Sequence, residues 1–338
     1  MNKRCLQNFC AALMIFAALI RAAVAVGLDG EQPLAAPDGV DGHVWTLIVE
    51  RDEPAPEDTP PEEQEPDAPE EPEPEPEEVP DEPAGQALDF TDAEADAIDI
   101  AGACSYAVDQ RALLRQPSAL DFSQPGPKVL IVHTHSCEAY TPTPAWDYAA
   151  SDPSRTRDET RSVIRVGSEI QAVLESEGIE VLHDTALNDD PAYSGAYDRM
   201  LTTIEGYLTQ YPSIQLVLDV HRDAVENPDG TQVCYTTQLR GEDCAQVMLV
   251  VGTDEGGLEH PNWRENLANA LKLQATLNRS YPGLCRPIDL RTERFNAHTS
   301  PGALLAEFGA AGNTLPEAIR AARYFAAGVA ELVHSLGG

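Results

Sequence analysis

Residues 127–140 read PKVLIVHTHSCEAY: an unbroken aliphatic run that passes directly into two histidines, a cysteine and a glutamate. The run predicts a strand over residues 128–132. His133, His135 and Glu138 then fall in the loop at its carboxyl end, where open α/β sheets gather their ligands.

Working outward, an amphipathic helix is predicted over residues 162–177, stopping at Gly178, followed by a short strand, IEVLH, at 179–183. A second helix over 194–210 must end before Pro212. IQLVLDV at 214–220 is continuously apolar, as expected of a strand buried on both faces of a sheet. Further strands are predicted at 232–238 and 246–252. Asn262 with Glu265 opens a long helix to about Ser280, ALLAEF at 303–308 is strand-like, and Thr314 with Glu317 forms a capping box for a last helix. This alternation implies a three-layer α/β domain with a mixed, mainly parallel sheet, occupying residues 87–338.

Upstream, the pattern is different. Residues 1–26 join Lys3 and Arg4 to an apolar run broken by Arg21, which predicts export. The uninterrupted part is short for a membrane span, so a cleaved signal peptide and a signal anchor rescued by snorkelling of Arg21 are both open. Residues 27–86 are expected to be a disordered linker. Its tract RDEPAPEDTPPEEQEPDAPEEPEPEPEEVPDEPAG has nothing to bury, and proline with like charges stiffens it into a spacer of up to about 100 Å. Together these predict a catalytic domain outside the cell membrane and tethered to it by the N-terminal helix.

The formal net charge is −35, and 16 of the 57 acidic residues lie between Asp52 and Glu82, so the rest of the chain is acidic too. That excludes nucleic acid as a partner, since phosphate contacts need clustered Lys and Arg. Of seven cysteines, five remain beyond the export segment, an odd number that makes no full disulfide framework. Cys234 and Cys244 flank a short polar segment and could pair, with free buried thiols the alternative.

His135 and Glu138 make a His-x-x-Glu spacing from which an imidazole and a carboxylate can converge on a divalent metal. Alone this is weak. The second apolar strand, however, also ends in a histidine, His221 of DVHRDA, and a third ends at Glu307 in ALLAEFGAAGN. Two imidazoles and a carboxylate would leave a fourth position for water, and Glu307 is the natural base for that water's proton. Taken singly, His221 could be a satisfied strand-end histidine and Glu307 a capping carboxylate.

The segments GPKVLIVHTHSCEAYTP, LVLDVHRDA, NWRENLANALKLQATLNRSYPGLCRPI and RFNAHTSPGALLAEFGAAGNTLPEA, in that order, resemble the stage II sporulation protein P family from about Ala87 onward. The resemblance implies a zinc amidase fold of phosphorylase/hydrolase-like type. It implies N-acetylmuramoyl-L-alanine amidase activity on peptidoglycan during engulfment in endospore formers, with a second ability to cut peptide crosslinks. It also implies work beside the stage II sporulation proteins D and M. The family's HTH-x-x-E falls on His133, His135 and Glu138, its HRD on His221, Arg222 and Asp223, and its E-x-G on Glu307 and Gly309. Zinc is then expected on His135, Glu138 and His221, although the third ligand could instead be Asp158 or Glu159. His133 and Asp223 are expected behind the ligands. Arg222, Arg294, Asn296 and His298 could orient the substrate or, equally, fix loops. Cys137 stands where the family more often has Ser or Thr, which raises a cysteine nucleophile as a rival chemistry. A zinc peptidase acting only on wall peptides and a non-catalytic wall-binding scaffold are the remaining alternatives.

Overall fold

The computed structural model describes residues 89–337, so the segments 1–26 and 27–86 lie outside the described residues. The chain enters through α1 (Asp92–Asp96), the edge strand β1 (Ile100–Gly102) and α2 (Gln110–Arg115). Then follow β2 (Val129–Val132), α3 (Val163–Ser176), β3 (Val181–His183), α4 (Ala196–Gln210) and β4 (Leu216–Asp223). The second half contains β5 (Thr236–Leu239), β6 (Glu242–Ala245), β7 (Val247–Gly252), α5 (Trp263–Ser280) and β8 (Ile288–Arg291). It closes with a 3-10 turn (Ala297–Thr299), β9 (Ala303–Ala310) and α6 (Leu315–Ser335).

Seven strands form one sheet in the order β1-β8-β7-β9-β4-β2-β3. All neighbours are parallel except β7 and β9, so the sheet is mixed and mainly parallel. The strand expected over 232–238 is realised only at its end, in β5, which pairs with β6 outside this sheet. Its earlier residues give their amides elsewhere: Val233 N–H to Val225 O at 2.9 Å and Tyr235 N–H to Asn313 Oδ1 at 2.9 Å. Cys234 and Cys244 are both free thiols, the former exposed and the latter buried, so no bridge joins them.

Successive side chains on a strand point to opposite faces. Val129, Ile131, Leu216, Leu218, Val220, Leu304, Ala306 and Phe308 pack under α3, α5 and α6 in the main core. Leu130, Val132, Val217 and Ala303 point the other way, toward Met200 and Ile204 of α4. The parity carries functional residues with it. Asp219 and His221 continue the row of Val217, Glu307 continues that of Ala303, and all three emerge on the α4 face.

Two helix starts follow from local chemistry. Ser162 accepts from Ile164 N–H at 3.2 Å to cap α3, and Thr314 with Glu317 completes both halves of the capping box of α6. Helix α5 is buried along most of its length although it carries many polar residues. Four of the buried ones reach carbonyls outside the helix: Asn266 donates to Ser300 O and Ala303 O at 2.8 Å, Asn269 to Pro301 O, Lys272 to Leu113 O and Gln274 to Arg286 O. Burial is tolerable because those donors are satisfied. The same bonds pin the loop that delivers β9 to the site. No helix among the described residues is long and apolar enough to cross a membrane.

Candidate active site

The carboxyl ends of β2, β4 and β9 lie side by side, and the sequence ends each of them in chemistry. In the β4–β9 register His221 sits directly opposite Glu307. After β2 the chain turns, and His135 comes to lie edge-on to His221, ring centroids 5.4 Å apart at 88°. Glu138 follows in the same turn, its Oε2 3.4 Å from His221 Nδ1. All four are largely withdrawn from solvent, which makes their charges expensive unless balanced.

The balance is local. Burial alone would raise Glu138, but Arg222 and His221 outweigh it and hold the carboxylate below its ordinary range. Burial alone would lower His221, but Asp219 and Glu138 outweigh it and hold the ring well above the usual histidine range. At Glu307 the balance falls the other way. Burial pushes its carboxyl up to about 8; His221 pulls it down, while Glu138 and Asp223 push it further up. Its Oε2 is buried without a hydrogen-bond partner. A buried carboxyl poised near neutrality is what proton transfer requires.

Several predicted residues turn out to hold the site together. His133 lies on the α3 face, completely buried, its Nδ1 donating to Val220 O at 3.0 Å and its Nε2 2.9 Å from His183 Nε2. Burial lowers these two rings to about 3 and about 4, so both are neutral. Gly167 makes room for them: a Cβ there would stand 2.7 Å from His133 Nε2 and 2.8 Å from His183 Nε2. Arg222 is buried and commits its guanidinium to Ala139 O and Ser154 O, while its N–H donates to Glu138 Oε2 at 3.1 Å; it fixes the loop and the carboxylate. Asp223 pairs with Arg286 at 2.9 Å, past an irregularity in the β4–β9 pairing. Asn296 is buried and donates to Tyr197 O, and Arg294 donates to Glu259 O. His298 faces His260, ring centroids 6.3 Å apart. Asp158 and Glu159 are exposed, and Asp158 accepts from Thr160 N–H and Oγ1. It is therefore Glu138, not these two, that the structure brings to the histidines. Cys137 is buried and its thiol is pushed up to about 12, chiefly by burial and then by Asp189, which is no setting for a nucleophilic thiolate.

Sequence reasoning missed four neighbours of His135 and His221. Asp219 lies 2.9 Å from His221 Nε2 through Oδ1, and Asp189 lies 3.7 Å from His135 Nδ1 through Oδ2. Tyr193 stacks on His135 at 4.3 Å and Tyr197 meets it edge-on at 5.4 Å. Period-two alternation from His221 would have flagged Asp219. Asp189 and the tyrosines belong to the loop after β3 and the start of α4, more than 50 residues from His135 in sequence, and carry no local signal.

Two imidazoles and a carboxylate are donors of the kind that hold zinc, and the Glu307 carboxyl stands beside them in the β4–β9 register. The ring nitrogens His135 Nδ1 and His221 Nε2 are buried without hydrogen-bond partners, so the donors fit such an ion in kind. Among the described residues, no group of three or more His, Cys, Asp or Glu side chains is placed so that it could hold a metal ion.

The sequence model of the stage II sporulation protein P family matches residues 45–330. A curated relative, stage II sporulation protein P of Bacillus subtilis (strain 168), is 29% identical over 209 residues, 57% of this chain. The chain spans about half the length of that relative, 48%. Among solved structures, the CwlD amidase from Clostridioides difficile, in complex with the GerS lipoprotein, is 11% identical and covers 61% of this chain and 98% of its own, with a TM-score of 0.37. The catalytic domain of CwlV, an N-acetylmuramoyl-L-alanine amidase from Bacillus (Paenibacillus) polymyxa var. colistinus, is 12% identical with the same coverage and a TM-score of 0.36.

Proposed function

Because this chain belongs to the stage II sporulation protein P family, we propose that it is a peptidoglycan hydrolase of endospore formation. It cuts the amide between N-acetylmuramic acid and the L-alanine of the stem peptide. The observation that carries this reading is the row His135, His221 and Glu307 with Glu138 at 3.4 Å: donors and a high-pKa carboxylate on one face of three strand ends. His135, Glu138 and His221 would hold zinc, which supplies the positive charge that polarises an amide carbonyl and acidifies water.

The chain's own residues do the rest. Glu307 takes the proton of the attacking water at a carboxylate oxygen and returns it to the leaving amine, so one group serves both transfers. Arg222 keeps Glu138 ionised and oriented. Tyr193, stacked on His135 and exposed at 60%, is a neighbour of the site that a polymer could reach from solvent. The same set could serve peptide crosslinks as a second activity. In keeping with the N-terminal sequence, the enzyme acts outside the cell membrane, tethered through residues 1–26, beside the stage II sporulation proteins D and M.

The test is mass spectrometry of muropeptides from purified peptidoglycan incubated with the full chain, with and without a chelator. Released intact stem peptides that disappear on chelation are expected. Release of peptide fragments alone would replace the amidase reading with a peptidase, and unchanged sacculi would leave a wall-binding scaffold.

A further inference from the structure

His135, Glu138 and His221 are buried, yet most of the residues that continue from Glu307 across the sheet toward β8 keep some exposure to solvent. Met248 of β7 stands opposite Glu307 in register, Val247 is bridged to Cys285, and Arg286 follows with its N–H on Val247 O at 2.8 Å. Ile288 and Leu290 of β8 point into the main core, so Asp289 between them emerges on the face that carries Glu307, where the charges of Asp223 and Arg286 reach it. Met248 and Val250 give this path an apolar floor, and Phe295 packs against it from the loop before β9. Asp223, Tyr235, Arg286, Asp289 and Phe295 are all half-buried.

The cations around the site differ in what they have left to give. Arg222 is buried against Ala139 O and Ser154 O, and Arg155 is bonded to Asp189 at the edge of His135. Arg286 spends one N–H, from Nη1 to Asp223 Oδ2 at 2.9 Å, and lies over the Tyr235 ring with Cζ 3.5 Å from its centroid. Its other donors bond no acceptor among the described residues and are not sealed from solvent. A guanidinium steadied by an aromatic ring and one carboxylate, with donors to spare, is set to receive a second carboxylate. Backbone to backbone, Glu307 and Arg286 are two strand spacings apart, about 10 Å. That is the reach of about three extended residues, and the Arg286 side chain meets Asp223 of β4, on the near side of that span. We propose that Arg286 is a substrate-binding residue: the stem peptide crosses β7 as it leaves the scissile amide, and the guanidinium takes the carboxylate of the residue that follows L-alanine. The inference rests on the amidase reading given above and adds to it a determinant of which peptides are cut. A peptide with a neutral carboxamide at that place gives up the charge and one of two accepting oxygens.

The test compares two soluble muropeptides that differ only there, one with a free carboxylate and one with a carboxamide on the second stem residue. Stem-peptide release by the full chain should favour the carboxylate by about 10- to 100-fold in kcat/KM. In Arg286→Met the ratio should fall to near one. Arg286→Lys keeps a cation for Asp223 but loses the planar fork that grips a carboxylate, and should keep only part of the preference. The ratio is taken within one protein, so any unfolded fraction cancels. An Arg286 that served only to neutralise Asp223 would alter stability and total activity but not this ratio. A wild-type ratio near one, or an undiminished ratio in either variant, would overturn the proposal. If the full chain releases stem peptide from neither substrate, the amidase reading fails instead. The affinities of the two muropeptides for the chain, measured by calorimetry in the presence of a chelator, then decide on Arg286 by the same ratio, and binding of neither overturns both readings.

Discussion

Lys272 offers a prediction whose magnitude the structure supplies. It is 1% exposed in the middle of α5, and its Nζ makes one hydrogen bond, to Leu113 O at 3.0 Å. Burial lowers its pKa from 10.5 to about 8. At about 1.4 kcal/mol per unit, holding the charged amine inside costs roughly 3 kcal/mol at pH 7. The sign follows from proton counts. Between pH 8 and 10.5 the unfolded chain keeps a proton that the folded chain releases, so the penalty is full below pH 8 and is relieved as pH rises through that window. Lys272→Met keeps the length of the side chain and removes the charge, but leaves Leu113 O without its donor, a loss of about 1 to 3 kcal/mol. The net change at pH 7 is therefore small, whereas its pH dependence is large. Urea unfolding of both proteins at pH 7 and pH 10 should show the variant losing about 2 kcal/mol of stability relative to wild type between the two, with other titrations cancelling in the comparison. An equal difference at both pH values would mean that Lys272 carries no desolvated charge, and the reasoning would fail.

Three further outcomes are expected. Glu307→Gln should retain bound zinc and lose about 100-fold or more of turnover on sacculi, while His221→Ala should lose the metal itself; metal content by atomic emission beside stem-peptide release separates them, and loss of zinc in Glu307→Gln would make Glu307 a ligand. Gly167→Ala drives a methyl to 2.7 Å from His133 and should cost about 1 to 3 kcal/mol in thermal or urea unfolding, whereas an unchanged midpoint would deny the close approach. Cys137→Ser should keep most of the activity, and the native thiol should resist alkylation at pH 8 because burial and Asp189 hold it protonated; rapid labelling would revive the cysteine chemistry.

Much of this architecture is readable from the chain because apolar periodicity records burial. The runs before His133, His221 and Glu307 are strands of one sheet, and their endings gather the candidate site residues. The short strands β1, at the sheet's edge, and β8, beside it, are not legible in the sequence, since three or four residues with mixed exposure leave no periodic trace. Residues 232–235 looked like a strand by composition, yet their amides are taken by Asn313 and Val225, a tertiary preference invisible locally. The roles of charged residues were least legible. Arg222 reads as a substrate-facing cation in HRD, but folding buries it against carbonyls, and Asp189 reaches His135 only because β2 and β3 are neighbours.

Helix α5 has a practical consequence for anyone altering this protein. Its asparagines, glutamine and lysine give it the composition of a solvent-facing segment, while its surroundings make it the interior. A redesign guided by hydropathy, whether for solubility, crystallisation or consensus repair, would treat Asn266, Asn269 and Gln274 as free positions. Each change there would unfasten a carbonyl in the segments that lead into β8 and β9. Damage would then surface as a misplaced Glu307, an apparent catalytic defect whose cause lies on the opposite face of the sheet.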